Sequence, residues 1–253
     1  SLKVLEFYKI REKLSERTES SLGKELASAL IPAVSISEIE HLQKETAEAL
    51  SLLMKRGTPP LYGIYAIASD VKRAELGGML SPSALLKIGE SLRVSRALKS
   101  YMRESREDKT DGYTIIDDLI DTLSAYKHIE ESINNAIIGE NEISDNASST
   151  LRNIRRQIRS KNDGIREKLN SMISSSTYKK YLQDSIITMR DGRYVIPVKQ
   201  ENRSSVPGLV HDISSSGATA FVEPMAVVEL NNELRELEIK EREEIERILL
   251  ELS

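Results

Sequence analysis

The chain has 253 residues, of which 39% are apolar and 30% charged, with 12 Gly and 7 Pro. That is the composition of a folded, helix-rich protein, long enough for one large domain or two small ones. The absence of Cys excludes disulfide frameworks, thiolate zinc sites, iron–sulfur clusters and a cysteine nucleophile, and a net charge of −4 does not mark a nucleic-acid binder. No apolar run approaches the roughly 18 residues of a membrane span, and the N-terminus lacks a signal-peptide core, so a cytoplasmic protein without a membrane partner is expected. The chain opens without Met and stops inside a helical run, and is read as a piece of a longer protein.

From Ser1 to about Arg106 the pattern is helical. Leu5, Tyr8 and Leu14, then Leu22, Leu26 and Leu30, recur at helical spacing until Pro32 stops the run. Ser37-Glu38-Ile39-Glu40 fits a capping box opening a helix with Leu42, Leu50 and Leu53, which ends at Gly57-Thr58-Pro59-Pro60. A loop through Tyr62 and Tyr65 is expected next. Ser81-Pro82 then starts a helix whose apolar face is Leu85, Ile88, Leu92 and Leu98. The charged segment from Arg103 to Gly112 reads as an exposed turn or loop. A helix over about Ala125–Ala136 follows, then a short extended excursion at Ile137-Ile138-Gly139 and Ile143.

A long helix is expected from about Asp145 to Ser174. Leu151, Ile154, Ile158, Ile165, Leu169 and Met172 form a heptad seam with one polar interruption, Lys161. Between Leu151 and Lys180 nine cations face only Asp163 and Glu167, a net +7. From Asp184 to Glu223 the period switches to two. Strands are expected at Ile186–Met189, Tyr194–Val198, Val206–Ile213 and Ala218–Val222, with Asp191-Gly192 as a hairpin turn and Pro197 hinting at an edge strand. From Pro224 onward the chain is helical again, with Val227, Leu230, Leu234, Leu237, Ile245 and Ile248 on one seam. Glu223–Ser253 carries ten Glu against Arg235, Lys240, Arg242 and Arg247, a net −6. Arms of opposite charge flanking a small sheet predict a mainly α protein in which an antiparallel helical pair carries an antiparallel β tip.

Chemistry is sparse. Gly23-Lys24 lacks the rest of a phosphate-binding loop, and Ser216-Gly217-Ala218-Thr219 reads as a hairpin turn. His41, His128 and His211 have no metal-ligand spacing. A hydrolase built on His211 and Asp212 is disfavoured because neighbours on a strand point to opposite faces. The expectation is no enzyme in this piece and no cofactor. The basic arm remains a candidate for phosphate attraction, with Tyr178 and Tyr181 the only aromatics close to it.

Three stretches carry a resemblance. Arg190-Asp-Gly-Arg-Tyr-Val-Ile-Pro-Val-Lys, Val206-Pro-Gly-Leu-Val-His-Asp-Ile-Ser-Ser-Ser-Gly-Ala-Thr-Ala-Phe-Val-Glu-Pro and Glu229-Leu-Asn-Asn-Glu-Leu-Arg-Glu-Leu-Glu are similar to the MutS family. More narrowly, they resemble its bacterial paralogue branch with a C-terminal Smr (small MutS-related) nuclease domain. Leu5-Glu-Phe-Tyr-Lys-Ile, Ser21-Leu-Gly-Lys-Glu and Asp70-Val-Lys-Arg-Ala-Glu-Leu-Gly-Gly-Met-Leu agree with it.

The resemblance implies a helical core (lever) domain over 1–145, an outgoing clamp arm over 146–183, a β clamp tip over 184–223 and a returning arm over 224–253. It implies a longer parent, homodimeric, with an ATPase domain using ATP and Mg and an endonuclease domain. The piece itself would be non-catalytic. Implied partners are duplex or branched DNA, as in recombination suppression, or the ribosome and its rRNA, as in rescue of collided ribosomes. Candidate phosphate contacts are Arg155, Arg156, Arg159, Arg190, Arg193, Lys199 and Arg203. The tip over Asp184–Val222 is neutral, which weighs against tight gripping by the tip alone. The rival reading is a coiled-coil protein-interaction module without nucleic-acid binding.

Overall fold

The structure, a computed structural model, describes residues 6–106 and 114–253. Leu5 and the segment Glu107–Gly112 lie outside the described residues. The chain divides into two compact units, one of residues 1–144 with 249–253, the other of residues 145–248. Among the described residues no helix is long and apolar enough to cross a membrane.

The first unit is helical. Its elements are α1 (Phe7–Glu16), α2 (Ser21–Ala29), α3 (Ile36–Arg56), α4 (Ala68–Glu75), α5 (Pro82–Arg106), α6 (Thr114–Asp121) and α7 (Lys127–Ala136), closed by the hairpin β1 (Ile137–Gly139) and β2 (Glu142–Ile143). Ser81 caps α5 as its sequence predicts, its Oγ accepting from Ala84 N–H at 3.2 Å with Pro82 in the first turn. Three expectations are corrected. The cap residue of α3 is Ser35, not Ser37, and its hydroxyl meets that of Ser37 at 3.0 Å. The stretch after Tyr65 is not all loop, because α4 forms there with Asp70 in its first turn and Lys72 and Arg73 in its last, charges that complement the helix dipole. The helix α5 continues to Arg106, so the start of the segment read as a loop is helical.

Burial on α3 also departs from the apolar pattern. Leu42, Leu50 and Leu53 are exposed, while Glu48 and Leu52 are buried. The reason is what faces the helix. Leu52 packs with Met102 and with the half-buried Tyr101, Ile116 and Ile120, so α5 and α6 select that face. Glu48 then serves as a cap in trans. Its Oε2 accepts from Ile115 and Ile116 N–H at 2.9 and 3.1 Å, and its Oε1 from Thr114 N–H at 3.3 Å, satisfying orphan donors at the start of α6. A second buried carboxylate, Glu130 of α7, takes a two-pronged bond from Arg96 of α5, both contacts at 2.8 Å. Gly89 allows the close approach of these two helices, since a Cβ there would lie 3.3 Å from Ile133 Cγ2.

Both carboxylates titrate below the ordinary glutamate value of 4.5. At Glu48 burial opposes the charge, but the backbone donors of α6 outweigh it. At Glu130 the Arg96 hydrogen bond dominates over burial. Groups with depressed folded-state pKa values stabilise above their unfolded pKa and lose that contribution as pH falls through the folded value. The first unit is therefore expected to hold its stability above about pH 4.5 and lose it on further acidification. Urea midpoints followed from about pH 6 to about pH 3 check this, and Glu48→Gln should shrink the drop. A midpoint that rises on acidification would contradict the assignment.

The second unit holds α8 (Ser149–Ser174), α9 (Ser176–Lys179), β3 (Thr188–Arg190), β4 (Arg193–Lys199), a 3-10 turn (Gln200–Ser205), β5 (Gly208–Ile213), β6 (Thr219–Pro224) and α10 (Met225–Leu252) as far as Ile248. Contacts between α8 and α10 step in opposite directions along the two helices. Lys168 Nζ lies 3.5 Å from Ala226 O, Lys161 pairs with Glu233, Arg155 Nε meets Glu241 Oε1 at 2.6 Å, and Ser148 Oγ meets Glu244 Oε1 at 2.7 Å. The helices are antiparallel, as the opposed charges predict, and Lys161 is absorbed by a partner on the other arm.

The four strands form one antiparallel sheet in the order β3-β4-β6-β5. Asp191 and Gly192 both take positive φ (50° and 75°), the geometry a two-residue hairpin turn needs to match strand twist. The sheet shares its core with the arms. Ile165, Leu169 and Ile173 of α8 and Val227 and Leu234 of α10 cluster with Tyr194, Ile196, Val198, Val206, Ala220 and Val222. Pro197 corrects an expectation, for it lies in β4 inside the sheet, opposite Phe221. Lys199 N–H donates to Tyr181 O and Pro197 O accepts from Gln183 N–H, both at 2.9 Å. Odd-numbered residues of β4 thus direct their backbone groups away from β6. The missing N–H of Pro197 falls where β3 has ended, and β6 loses no bond.

Candidate nucleic-acid interface

The seven candidate cations occupy unlike settings. Arg155 is half-buried between two carboxylates, Asp145 Oδ1 at 2.7 Å and Glu241 Oε1 at 2.6 Å. Burial works against its charge, yet these two partners together raise its pKa, and Asp145 is correspondingly held below its ordinary value by the Arg155 bond. Arg159 Nη1 also reaches Asp145, at 3.4 Å, with its side chain largely exposed. Arg156 is exposed and bonds Asn153 of its own helix at 3.1 Å.

In the sheet, Arg190 stacks 3.8 Å above the Phe221 ring, and its Nε meets Asp212 Oδ2 at 3.0 Å. Arg203 forks onto two carbonyls, Gly208 O at 2.7 Å and Val206 O at 3.2 Å. Lys199 Nζ lies 3.5 Å from Lys180 O. The structure thus brings Arg155 and Arg159 together around Asp145 and distributes the other candidates along the arm and sheet.

Arg193 belongs to a buried cluster that the sequence does not announce. Glu223, on β6, is fully buried. Its Oε1 accepts from Arg193 Nη1 at 3.0 Å and Asn231 Nδ2 at 2.7 Å, and its Oε2 lies 2.5 Å from His211 Nε2. Asn231 also bonds both the N–H and the carbonyl of Tyr194, and Arg193 reaches Asn232 at 2.6 Å. One carboxylate therefore ties β4, β5, β6 and α10 together. A β-bulge between Val210 and Asp212 supplies the geometry, because the extra residue turns His211 toward Glu223. His211 and Asp212 consequently serve different partners, Glu223 and Arg190, so the residue pair of the hydrolase reading is not brought together.

At the other end of the sheet lies a set of cations that was counted in the arm's charge but not singled out. Lys179 ends α9, Lys180 follows it, and both are exposed. The backbone bond from Lys199 to Tyr181 sets Lys199 beside them, and Lys180 Nζ lies 4.9 Å from the centre of the Tyr181 ring. The adjacency of two lysines between Tyr178 and Tyr181 was the available signal. Among the described residues no group of three or more His, Asp or Glu is placed to hold a metal ion.

These features define a mainly α protein whose second unit is a braced two-helix arm with a β sheet built into its core. No protein-family model matches the chain. Along its full length it is 53% identical to the protein named Endonuclease MutS2 of Alkaliphilus oremlandii, 55% to that of Alkaliphilus metalliredigens and 53% to that of Clostridioides difficile. All 253 residues are covered in each case, and they amount to 32% of each of those proteins, so the chain spans about a third of the length of the curated relatives it matches. The chain is a homologue of a region of MutS2 endonucleases, in agreement with the resemblance carried by its motifs.

Proposed function

We propose that this chain is the non-catalytic core and clamp region of a cytoplasmic MutS-like ATPase. Residues 1–145 would be the lever domain, 146–183 and 224–253 the clamp arms, and 184–223 the tip. The clamp encloses a nucleic-acid-containing partner, branched or duplex DNA or a collided ribosome. The arms carry the nucleotide state of an ATPase domain to it within a homodimer. The observation that supports this best is that the sheet is not tethered by a loop but shares one core with both arms. A load on the tip is therefore carried by two helices braced against each other by seam and ion pairs.

Titration of fluorescent duplex DNA, a four-way junction and structured RNA with the chain tests the reading, binding being the expected result and the tightest ligand pointing to the physiological target. A second reading, a coiled-coil module for a protein partner, draws support from the internal pairing of Arg155, Arg159 and Lys161. It requires that all three nucleic acids fail to bind.

A further inference from the structure

We infer that the groove between α8 and the outer edge of β3 is a docking site for an extended, apolar segment of a partner protein, which carries a carboxylate and joins the sheet as a further strand. This site is independent of the gripping reading above, for it lies along the side of the sheet and takes a protein ligand. The groove holds about 600 Å³, within the range of ligand-binding pockets. Ile173, Tyr194, Ile186 and Met189 line it together with Arg166 and Asn170 of α8. Ile173 and Tyr194 are buried, whereas Ile186 and Met189 remain 53% and 46% exposed.

The chain opens this groove beside Pro197. Gln183 N–H donates to Pro197 O at 2.9 Å, but Pro197 has no N–H to return the bond, and the next paired residue is Thr188, opposite Val195. Residues 184–187 therefore stand against Ile196 alone and bow away from β4, which leaves Ile186 outside. In β3, Met189 is opposite Tyr194, whose N–H and carbonyl are bonded by Asn231 on the far side. The backbone groups of Met189 consequently point outward from the sheet edge, as they do at alternate positions of an antiparallel ladder. Among the described residues nothing accepts from its N–H, and its carbonyl takes one bond, from Arg190 Nη1 at 2.8 Å, and keeps a second lone pair.

Arg166 sets the polarity of the occupant. Among the described residues no carboxylate pairs with it and no acidic side chain lines the groove, while the Tyr194 ring lies 5.7 Å from its Cζ. A peptide strand laid on β3 gives the Met189 N–H an acceptor, covers Ile186 and Met189, and brings a carboxylate to Arg166. A second copy of this chain fits badly, because pairing two β3 edges sets Arg166 and Arg190 of one copy against the same residues of the other. A nucleic-acid strand has no amide ladder to offer the edge and would meet a single uncompensated cation in the groove.

Selection of phage-displayed random octapeptides against the whole chain tests the site. The enriched sequences are expected to alternate apolar residues with others and to include an aspartate or glutamate. A selected peptide, synthesised with a fluorescent label, should bind Arg166→Glu at least about tenfold more weakly, the worth of one charge-assisted hydrogen bond. Ile186→Asp should weaken it comparably and keeps the test readable should Arg166→Glu fail to fold. Arg242→Glu, an equal change of charge at an exposed position of α10, should bind as the wild type does. Methylating alternate backbone nitrogens of the peptide should abolish binding in one phase and spare it in the other, since an added strand turns every second N–H to the edge. A selection that enriches nothing, or peptides that bind both groove variants undiminished, would overturn the assignment. Displacement of the peptide by oligo(dT) would give the groove to nucleic acid and overturn it equally.

Discussion

Glu223→Ala is expected to be the most damaging single substitution in the second unit, costing about 3–5 kcal/mol. The side chain is fully buried, and its removal takes a partner from three polar groups at once: the Arg193 guanidinium, which keeps only Asn232, the His211 ring, and the Asn231 amide, which keeps only Tyr194. The cost comes less from the lost attraction than from leaving the half-buried Arg193 guanidinium without its countercharge and opening a gap among polar groups that face it. Urea unfolding followed by tyrosine fluorescence measures it, the chain having no Trp. Glu223→Gln should be milder, since an amide still bonds its neighbours. A loss below about 1 kcal/mol in the Ala variant, the worth of an exposed pair, would mean that the cluster is solvated and does not organise the sheet.

Leu169→Ala follows in size, at about 2–5 kcal/mol, the range for emptying a leucine site in a core that relaxes only in part. Leu169 is fully buried where α8, α10 and the sheet meet, so the cavity would open among all three. The neighbouring positions provide an internal comparison. The heptad pattern puts Met172 on the seam, but Ile173 is the buried residue and Met172 is only half-buried. Ile173→Ala should therefore cost more than Met172→Ala in the same unfolding assay. The reverse order would put the seam back on strict heptad spacing.

That one-residue shift shows what the sequence holds and what it lacks. Periodicity made the arms legible, because a seam of Leu and Ile can be buried only against another such seam. The opposed charges made the antiparallel pairing legible. Asp191-Gly192 announced its turn, since few other pairs accept positive φ at both positions. At the end of α8 the seam meets a sheet instead of a second helix, and the residue that faces it is decided by tertiary packing. The same holds for α3, where α5 and α6 bury Glu48 and leave Leu42, Leu50 and Leu53 outside.

Candidate site residues were the least legible. A cation's availability depends on which acid or carbonyl the fold brings to it. Arg155 and Glu241 lie 86 residues apart in sequence, and Arg193 and Glu223 lie 30 apart. Net charge identified the basic arm correctly as a feature, but the arm's partner proved to be the acidic arm at Arg155 and Lys161. The neutral sum over Asp184–Val222 likewise says nothing of the flanking Glu223, Lys179 and Lys180, which the fold adds to the two ends of the sheet. Arg190 and Arg193 are matched by Asp212 and Glu223, while the lysines at the opposite sheet end have no such partner.

The most direct test of the central claim, that this chain grips nucleic acid through phosphate contacts, is the wild-type anisotropy titration with duplex DNA, a four-way junction and structured RNA at roughly 50 and 200 mM salt. The account predicts binding that weakens steeply between the two, because each phosphate contact releases a condensed counterion. Binding that is insensitive to salt, or no binding of any of the three at the lower concentration, would contradict it.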